Sequence, residues 1–339
     1  MYKRQDEHYR RALDSERRSR TGGPEAVIDV WRSLAEVREQ AGMYEPSLVA
    51  LSSARRHTSD PVDGAELLLG VARAHLRMGN YRSALRATAL GLDALEGVEG
   101  ERSGKIRARL LSWRAYVRLQ QGRPREALHL AMETTRVAEQ NDAKLALALA
   151  YTVLDSAWEM LGIPEEAVYE TGALDLYEQL GDLVGLAMTA NNLGVRAYDD
   201  GRWEEAVESY SRAREAFKSL GNEPQAGLAG ANLGEVLVSM GRLDDAGTVL
   251  TEASRTLRAT DVQDFAVFAD AQLARTDTAR GEPELAVARL QALAEEAFGI
   301  GHTGIALDVT VPLATALIAA HRYKDALDAI EGSERRGPD

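Results

Sequence analysis

Few residues of this 339-residue chain combine the type and spacing that chemistry demands. The stretch ERSGKI (101–106) comes nearest to a phosphate-cradling loop. Glu99 stands where the first glycine belongs, however, and Ile106 replaces the Ser or Thr that reaches magnesium. It reads as a flexible connecting loop. The six histidines (His8, His57, His75, His129, His302 and His321) include no pair at i, i+4 and no HExxH, so no metal site is expected. The acidic pairs Glu165–Glu166, Glu204–Glu205 and Asp244–Asp245 have the residue types of acid–base catalysis. They recur at a fixed spacing in the first turn of a helix, where negative charge complements the helix dipole, and so read as structural. No GxSxG is present. With no nucleophile, metal set or phosphate cradle, the sequence gives no reason to expect an enzyme or a cofactor. One pair does stand out. Asn192 in NNLGVRAY (191–198) and Asn232 in ANLGEVLV (231–238) lie 40 residues apart. A side-chain amide offers a donor and an acceptor together, the complement of a peptide unit.

The bulk numbers set the frame for these residues. The chain is 45% hydrophobic and 27% charged, which suits a folded, helix-rich protein with enough apolar content for a sizeable core. No apolar run approaches the roughly 18 residues of a membrane helix, so no membrane partner is expected. Zero cysteines exclude disulfides, thiolate zinc sites and cysteine nucleophiles. A formal net charge of −13 repels a phosphate backbone, so nucleic acid is not expected as a partner. The only lysines are Lys3, Lys105, Lys144, Lys218 and Lys324; with abundant Ala and Gly, that arginine bias reads as GC-rich bacterial coding. A cytoplasmic location is expected.

Positioning comes from a repeat. A hairpin phrase recurs as AGMYEPSL (41–48), MGNYRSAL (78–85), QGRPREAL (121–128), LGIPEEAV (161–168), DGRWEEAV (200–207), MGRLDDAG (240–247), RGEPELAV (280–287) and AHRYKDAL (320–327). Its anchors are Gly42, Gly79, Gly122, Gly162, Gly201, Gly241, Gly281 and His321, a period of about 40 residues. The glycine ends one helix in a left-handed conformation. Two residues on, Tyr44, Tyr81, Pro124, Pro164, Trp203, Leu243, Pro283 or Tyr323 starts the second helix and plugs the hairpin. Three further on, a small residue lets the helices cross closely: Ser47, then Ala84, Ala127, Ala167, Ala206, Ala246, Ala286 and Ala326. Gly194 and Gly234 sit inside first helices, where glycine costs about 1 kcal/mol against alanine, so a neighbouring helix is expected to press on them. Tyr210, Ala213, Leu250 and Ala253 supply the inward stripe of second helices. Gly181, Gly221 and Gly301 read as helix stops between hairpins. The stretch GVEGERSGK (97–105) is the loosest connection.

These residues resemble the tetratricopeptide repeat: bulky–x–x–Leu–small on the first helix, Gly–x–aromatic at the turn, Ala on the second. The resemblance covers roughly 28–331 and implies an all-α fold, a right-handed α-solenoid superhelix of about eight hairpins. It also implies that Asn192 and Asn232 face a concave groove, where asparagine often clamps the backbone of an extended peptide. By the same register Asn191, Val195, Tyr198, Asp199, Glu235 and Ser239 are groove-facing candidates. The alternatives are that both asparagines bond a neighbouring helix or sit in solvent. The family's Lys/Arg carboxylate clamps are not evident.

The chain's beginning is expected to be incomplete. Tyr9 and Ala12 take the second-helix positions held by Leu51 and Ala54, so residues 6–20 read as the second helix of a hairpin whose first helix is missing. A repeat cannot bury its apolar face alone. Residues 1–5, MYKRQ, are what GTG-TAT-AAG-AGA-CAG encodes from a GTG start, matching a transposase end sequence used in preparing sequencing libraries. They read as translated adaptor and are set apart from the fold. Residues 332–339 read as a tail.

Over most of residues 6–331, stretches such as GRWEEAVESYSRAREAF and ANLGEVLVSMGRLDDAGTVL are similar to a multidomain bacterial signalling family. In it a class III adenylate/guanylate cyclase and an AAA-type ATPase precede such an array. That resemblance implies a regulatory scaffold binding a protein or peptide, or the parent's own ATPase and cyclase domains. No residue here matches the cyclase's metal aspartates or the Walker motifs. The alternative is the sensor arm of an ATPase-type transcriptional activator with a DNA-binding domain.

Overall fold

The computed structural model describes residues 24–164, 168–300 and 303–336, together with Glu7. Among the described residues there are sixteen helices and no strand. The chain divides into two compact units after Leu180. Unit 1 holds α1 (Pro24–Gln40), α2 (Tyr44–Arg55), α3 (Pro61–Arg77), α4 (Tyr81–Ala94), α5 (Glu101–Gln120), α6 (Pro124–Gln140), α7 (Lys144–Met160) and α8 (Glu170–Leu180). Unit 2 holds α9 (Leu183–Asp199), α10 (Trp203–Ser219), α11 (Glu223–Ser239) and α12 (Leu243–Ala259). It continues with α13 (Gln263–Ala279), α14 (Pro283–Ile300), α15 (Thr303–Ala319) and α16 (Tyr323–Arg336). Odd and even helices pair as hairpins, four to each unit.

The turns follow from backbone chemistry. At Gly201 (φ 72°) the glycine N–H donates to the Tyr198 carbonyl at 3.0 Å and the Arg202 N–H to the Ala197 carbonyl at 2.7 Å. These two hydrogen bonds satisfy carbonyls that a helix end leaves open. The same pair of bonds closes the turn at His321, whose φ of 61° is one that glycine adopts without strain. Two residues after the turn the second helix begins, at Tyr44, Tyr81, Pro124, Trp203, Leu243, Pro283 and Tyr323.

Packing explains the small residues. Ala84, Ala127, Ala206, Ala246, Ala286 and Ala326 are all buried, and Ser47 keeps its place by donating its hydroxyl to the Ala35 carbonyl at 2.8 Å. Ala167 and Gly301 lie outside the described residues, as do residues 1–5 and, apart from Glu7, the orphan helix expected over 6–20. A Cβ on Gly194 would stand 2.7 Å from the Tyr210 ring, and one on Gly234 would overlap Leu250. Those glycines therefore admit the large inward side chains of their own hairpin's second helix.

Three expectations need correction. Pro164 does not start a second helix: α8 begins at Glu170. Its first N–H groups are taken by the buried Asp155 carboxylate of α7, which accepts from Tyr169 at 2.8 Å and Glu170 at 2.6 Å. A borrowed cap thus fixes this helix start, not the turn proline. The ERSGK stretch is not a loop but the first turns of α5, entered through Gly100 at φ 125°. The Ser103 hydroxyl there donates to the Gly100 carbonyl at 2.8 Å. Finally, Trp203 and Tyr323 do not plug their hairpins, being 40% and 58% exposed. They begin a helix without filling a core.

First helices face one another within each unit. In unit 1, α3 packs on α5 and α5 on α7; in unit 2, α11 packs on α13 and α13 on α15. Second helices make no comparable approach to each other among the described residues. Each unit therefore presents a face built from first helices.

Candidate functional site

The sequence-predicted residues all fall on α9 and α11, the first two first-helices of unit 2. Counted back from the turn, Asn192 and Asn232 occupy one position and Val195 and Glu235 the next along the same stripe. Asn192, Val195 and Asp199 are exposed; Asn191, Tyr198, Asn232, Glu235 and Ser239 are half-buried. Neither Asn192 nor Asn232 forms a side-chain hydrogen bond with another described residue. Of the alternatives open from the sequence, bonding to a neighbouring helix is therefore not seen there.

Extending the 40-residue step reaches Gln272 on α13, a third amide at the same position and not among the residues expected from the sequence. Gln272 is buried and fully engaged. Its Nε2 donates to Glu235 Oε1 at 3.1 Å, and its Oε1 accepts from Arg275 Nη1 at 2.6 Å. Arg275 Nη1 also lies 3.6 Å from Glu235 Oε1. This network ties α11 to α13. Arg275 stands 40 residues after Glu235, so the same periodicity could have found it. One step further the amide is replaced by Pro312, inside α15, which has no N–H to give the preceding turn.

Beside the network lies a groove of about 650 Å³ between α11, α13 and α15. Glu235, Ser239, Gln272 and Arg275 line one part; Leu307, Asp308, Val311 and Thr315 line the other. Burial pushes the Glu235 carboxyl above the ordinary carboxylate range; Asp308 adds to the rise, and Arg275, Gln272 and Tyr198 oppose it. Burial likewise raises the Tyr210 phenol beneath it, with Glu235 and Asp199 contributing. The corresponding face of unit 1 has a different character. A cavity of about 50 Å³ there is lined by Arg32, Glu39, Glu66, Arg73 and Arg109. Arg73 pairs with Glu39 at 2.7 Å, and Arg102 with Asp63 at 2.6 Å and Glu66 at 2.9 Å.

Among the described residues no group of three or more His, Asp or Glu is placed to hold a metal ion, and no helix is long and apolar enough to cross a membrane. The acidic pairs Glu204–Glu205 and Asp244–Asp245 lie in the first turns of α10 and α12. Glu205 and Asp245 accept from Arg202 and Arg242, and Asp244 from Arg280 at 2.7 Å. Glu165 and Glu166 lie outside the described residues.

No protein-family model matches the sequence, and no curated protein matches it. Solved structures do. A signal-transduction ATPase (STAND) with a tetratricopeptide-repeat sensor, from Pyrococcus horikoshii, matches with a TM-score of 0.61 at 17% identity. The match covers 96% of this chain and 45% of that one. The apo quorum sensor NprR from B. thuringiensis matches with a TM-score of 0.57 at 15% identity, over 98% of this chain and 94% of that one. A Rap protein complexed with Competence and Sporulation Factor gives 0.54 at 17% identity, over 74% and 75%. The fold is thus an all-α helical-repeat solenoid of the tetratricopeptide kind.

Proposed function

We propose that the chain is a non-catalytic regulatory scaffold whose first-helix face in unit 2 grips an extended peptide or protein segment. The observation that carries this reading is the pair of side-chain amides of Asn192 and Asn232. They are repeated at one helical position, 40 residues apart, and bond no described residue. Each can give one donor and one acceptor to a peptide unit. Val195, Tyr198, Asp199, Glu235, Ser239 and Asn191 form the surroundings. The structural neighbours support a sensing role: one carries a sensor within a signalling ATPase, one is a quorum sensor, and one is complexed with a factor. Selection of a random peptide library on the protein tests it, with N192A/N232A as control. Peptides retained by the wild type and lost from the variant are expected; equal retention by both would refute the clamp.

The scaffold is further proposed to belong to a signalling ATPase, with a nucleotide cyclase as output. The family resemblance of residues 6–331 supports this reading, as does the ATPase neighbour, of which this chain spans less than half. An ATPase-type transcriptional activator shares the array and differs in output. Reading the genomic sequence upstream of residue 6 distinguishes a cyclase domain from a helix-turn-helix. The purified chain alone is expected to turn over neither ATP nor GTP.

A further inference from the structure

The hairpin α15–α16 exposes what the hairpin before it hides. On α13 and α14 the apolar residues Val267, Ala271, Val287 and Leu290 are at most 2% exposed. They share one core with Ile305, Val309, Leu313 and Leu317 of α15, the next first helix. Forty residues on, the same positions of α15 and α16 carry Leu307, Val311, Leu327 and Ile330. These are 53%, 62%, 62% and 42% exposed. Ile318, also exposed, continues the α15 stripe. All four positions stay apolar from one hairpin to the next; only their cover is missing. A repeat of this kind buries its apolar side against its neighbour, and an end repeat needs a polar outer side. This outer side is apolar instead, and exposed apolar side chains grouped together mark a place of association.

We propose that the α15–α16 surface binds an amphipathic α-helix of a partner protein, seated where a further first helix would lie. The stack itself specifies this occupant. α15 packs on both α13 and α14 and seals Val267, Ala271, Val287 and Leu290, so a helix of the same kind fits their counterparts. Its apolar stripe follows the spacing of Ile305, Val309, Leu313 and Leu317, which is i, i+4, i+8 and i+12. A helix also keeps its own backbone bonded, whereas an extended segment would leave N–H and C=O groups against apolar side chains. Two copies of this chain joined here would bring second helices together, an approach with no comparable counterpart among the described residues. The seated helix adds one member to the first-helix face of unit 2. The inference stands apart from the peptide clamp, which uses α9 and α11.

The test is a yeast-display library of helices the length of α15, sorted against the full chain. The four stripe positions carry Leu, Ile, Val, Phe or Ala, and the remainder Glu, Lys, Gln or Ala. Helices retained by the wild type are expected, and their affinities are read by fluorescence anisotropy on the free peptides. Val311→Glu and Leu327→Glu each place a charge on the exposed surface; a thermal melt of each verifies folding. Either should weaken binding by about ten-fold or more, as for a central interface residue. A peptide of the same composition with its stripe scrambled should not bind. N192A/N232A should bind the helices as the wild type does, so the two readings fail separately. The inference is overturned by an absence of retained helices, by binding unmoved in both Glu variants, or by equal binding of the scrambled peptide. Loss of helix binding in N192A/N232A would also overturn it, by placing the helix on α9 and α11. So would a dimer in sedimentation that either Glu variant splits, since the occupant would then be a second copy of the chain.

Discussion

Gln272 donates its Nε2 hydrogen to Glu235 Oε1 at 3.1 Å, across 37 residues of sequence and from one first helix to the next. The bond turns an amide that occupies the register of Asn192 and Asn232 into a fixed part of the groove floor. It also holds a carboxylate where burial disfavours charge, which has a consequence for stability. A carboxyl with a raised folded-state pKa binds its proton more tightly when folded than when unfolded. Stability is therefore fullest at low pH and falls as pH rises from the ordinary carboxylate range, about 4.3, through the raised folded value. Glu235→Gln is thus expected to melt at a higher temperature than the wild type at neutral pH, with the difference shrinking toward pH ~4. Melting curves across that range check this; a difference that grows on acidification would contradict it. Tyr198, Gln272, Arg275 and Asp308 face the group from α9, α13 and α15, and all remain in place.

Gly234→Leu tests close helix approach. Even a Cβ at this position overlaps Leu250, which is fully buried. The exchange is expected to cost about 1–3 kcal/mol by overpacking. Urea denaturation reads it directly, and unchanged stability would contradict the packing described.

Asp155→Ala tests the borrowed cap of α8. The carboxylate serves the N–H groups of Tyr169 and Glu170, and its loss leaves them without that acceptor. A destabilisation of about 1–3 kcal/mol is expected, the cost of removing a buried partner of this kind. An unaltered urea midpoint would show that the helix start is fixed by something else.

Much of this fold was legible because turn chemistry is local. A glycine with positive φ, a helix-starting residue two places on and an alanine three beyond that all act within one hairpin. Gly201, Trp203 and Ala206 show it, and even His321 was placed correctly by phase alone. What failed was what depends on distant atoms. Pro164 looked like its counterparts, but the start of α8 is set by a carboxylate on α7. Trp203 looked like a plug, but its exposure is decided by neighbours the phrase does not contain. The candidate site was half legible. Asn192, Asn232 and Glu235 are proposed from their register, and Gln272 and Arg275 stand one period further along the same count. Asp308 and the open wall of Leu307 and Val311 carry no motif; only the packing of α15 on α13 brings them to the groove.

The central claim is that Asn192 and Asn232 hold the backbone of an extended peptide, and calorimetric titration of single N-methylated variants of a retained peptide tests it most directly. N-methylation removes one backbone donor without changing a side chain. At one or two positions it should weaken binding to the wild type by about ten-fold, or ~1.4 kcal/mol. In N192A/N232A the same peptides should bind no worse than the unmethylated parent, with the melting temperature of the protein nearly unchanged. If no methylated position matters to the wild type, or if the loss persists undiminished in the double variant, the asparagines do not clamp a peptide.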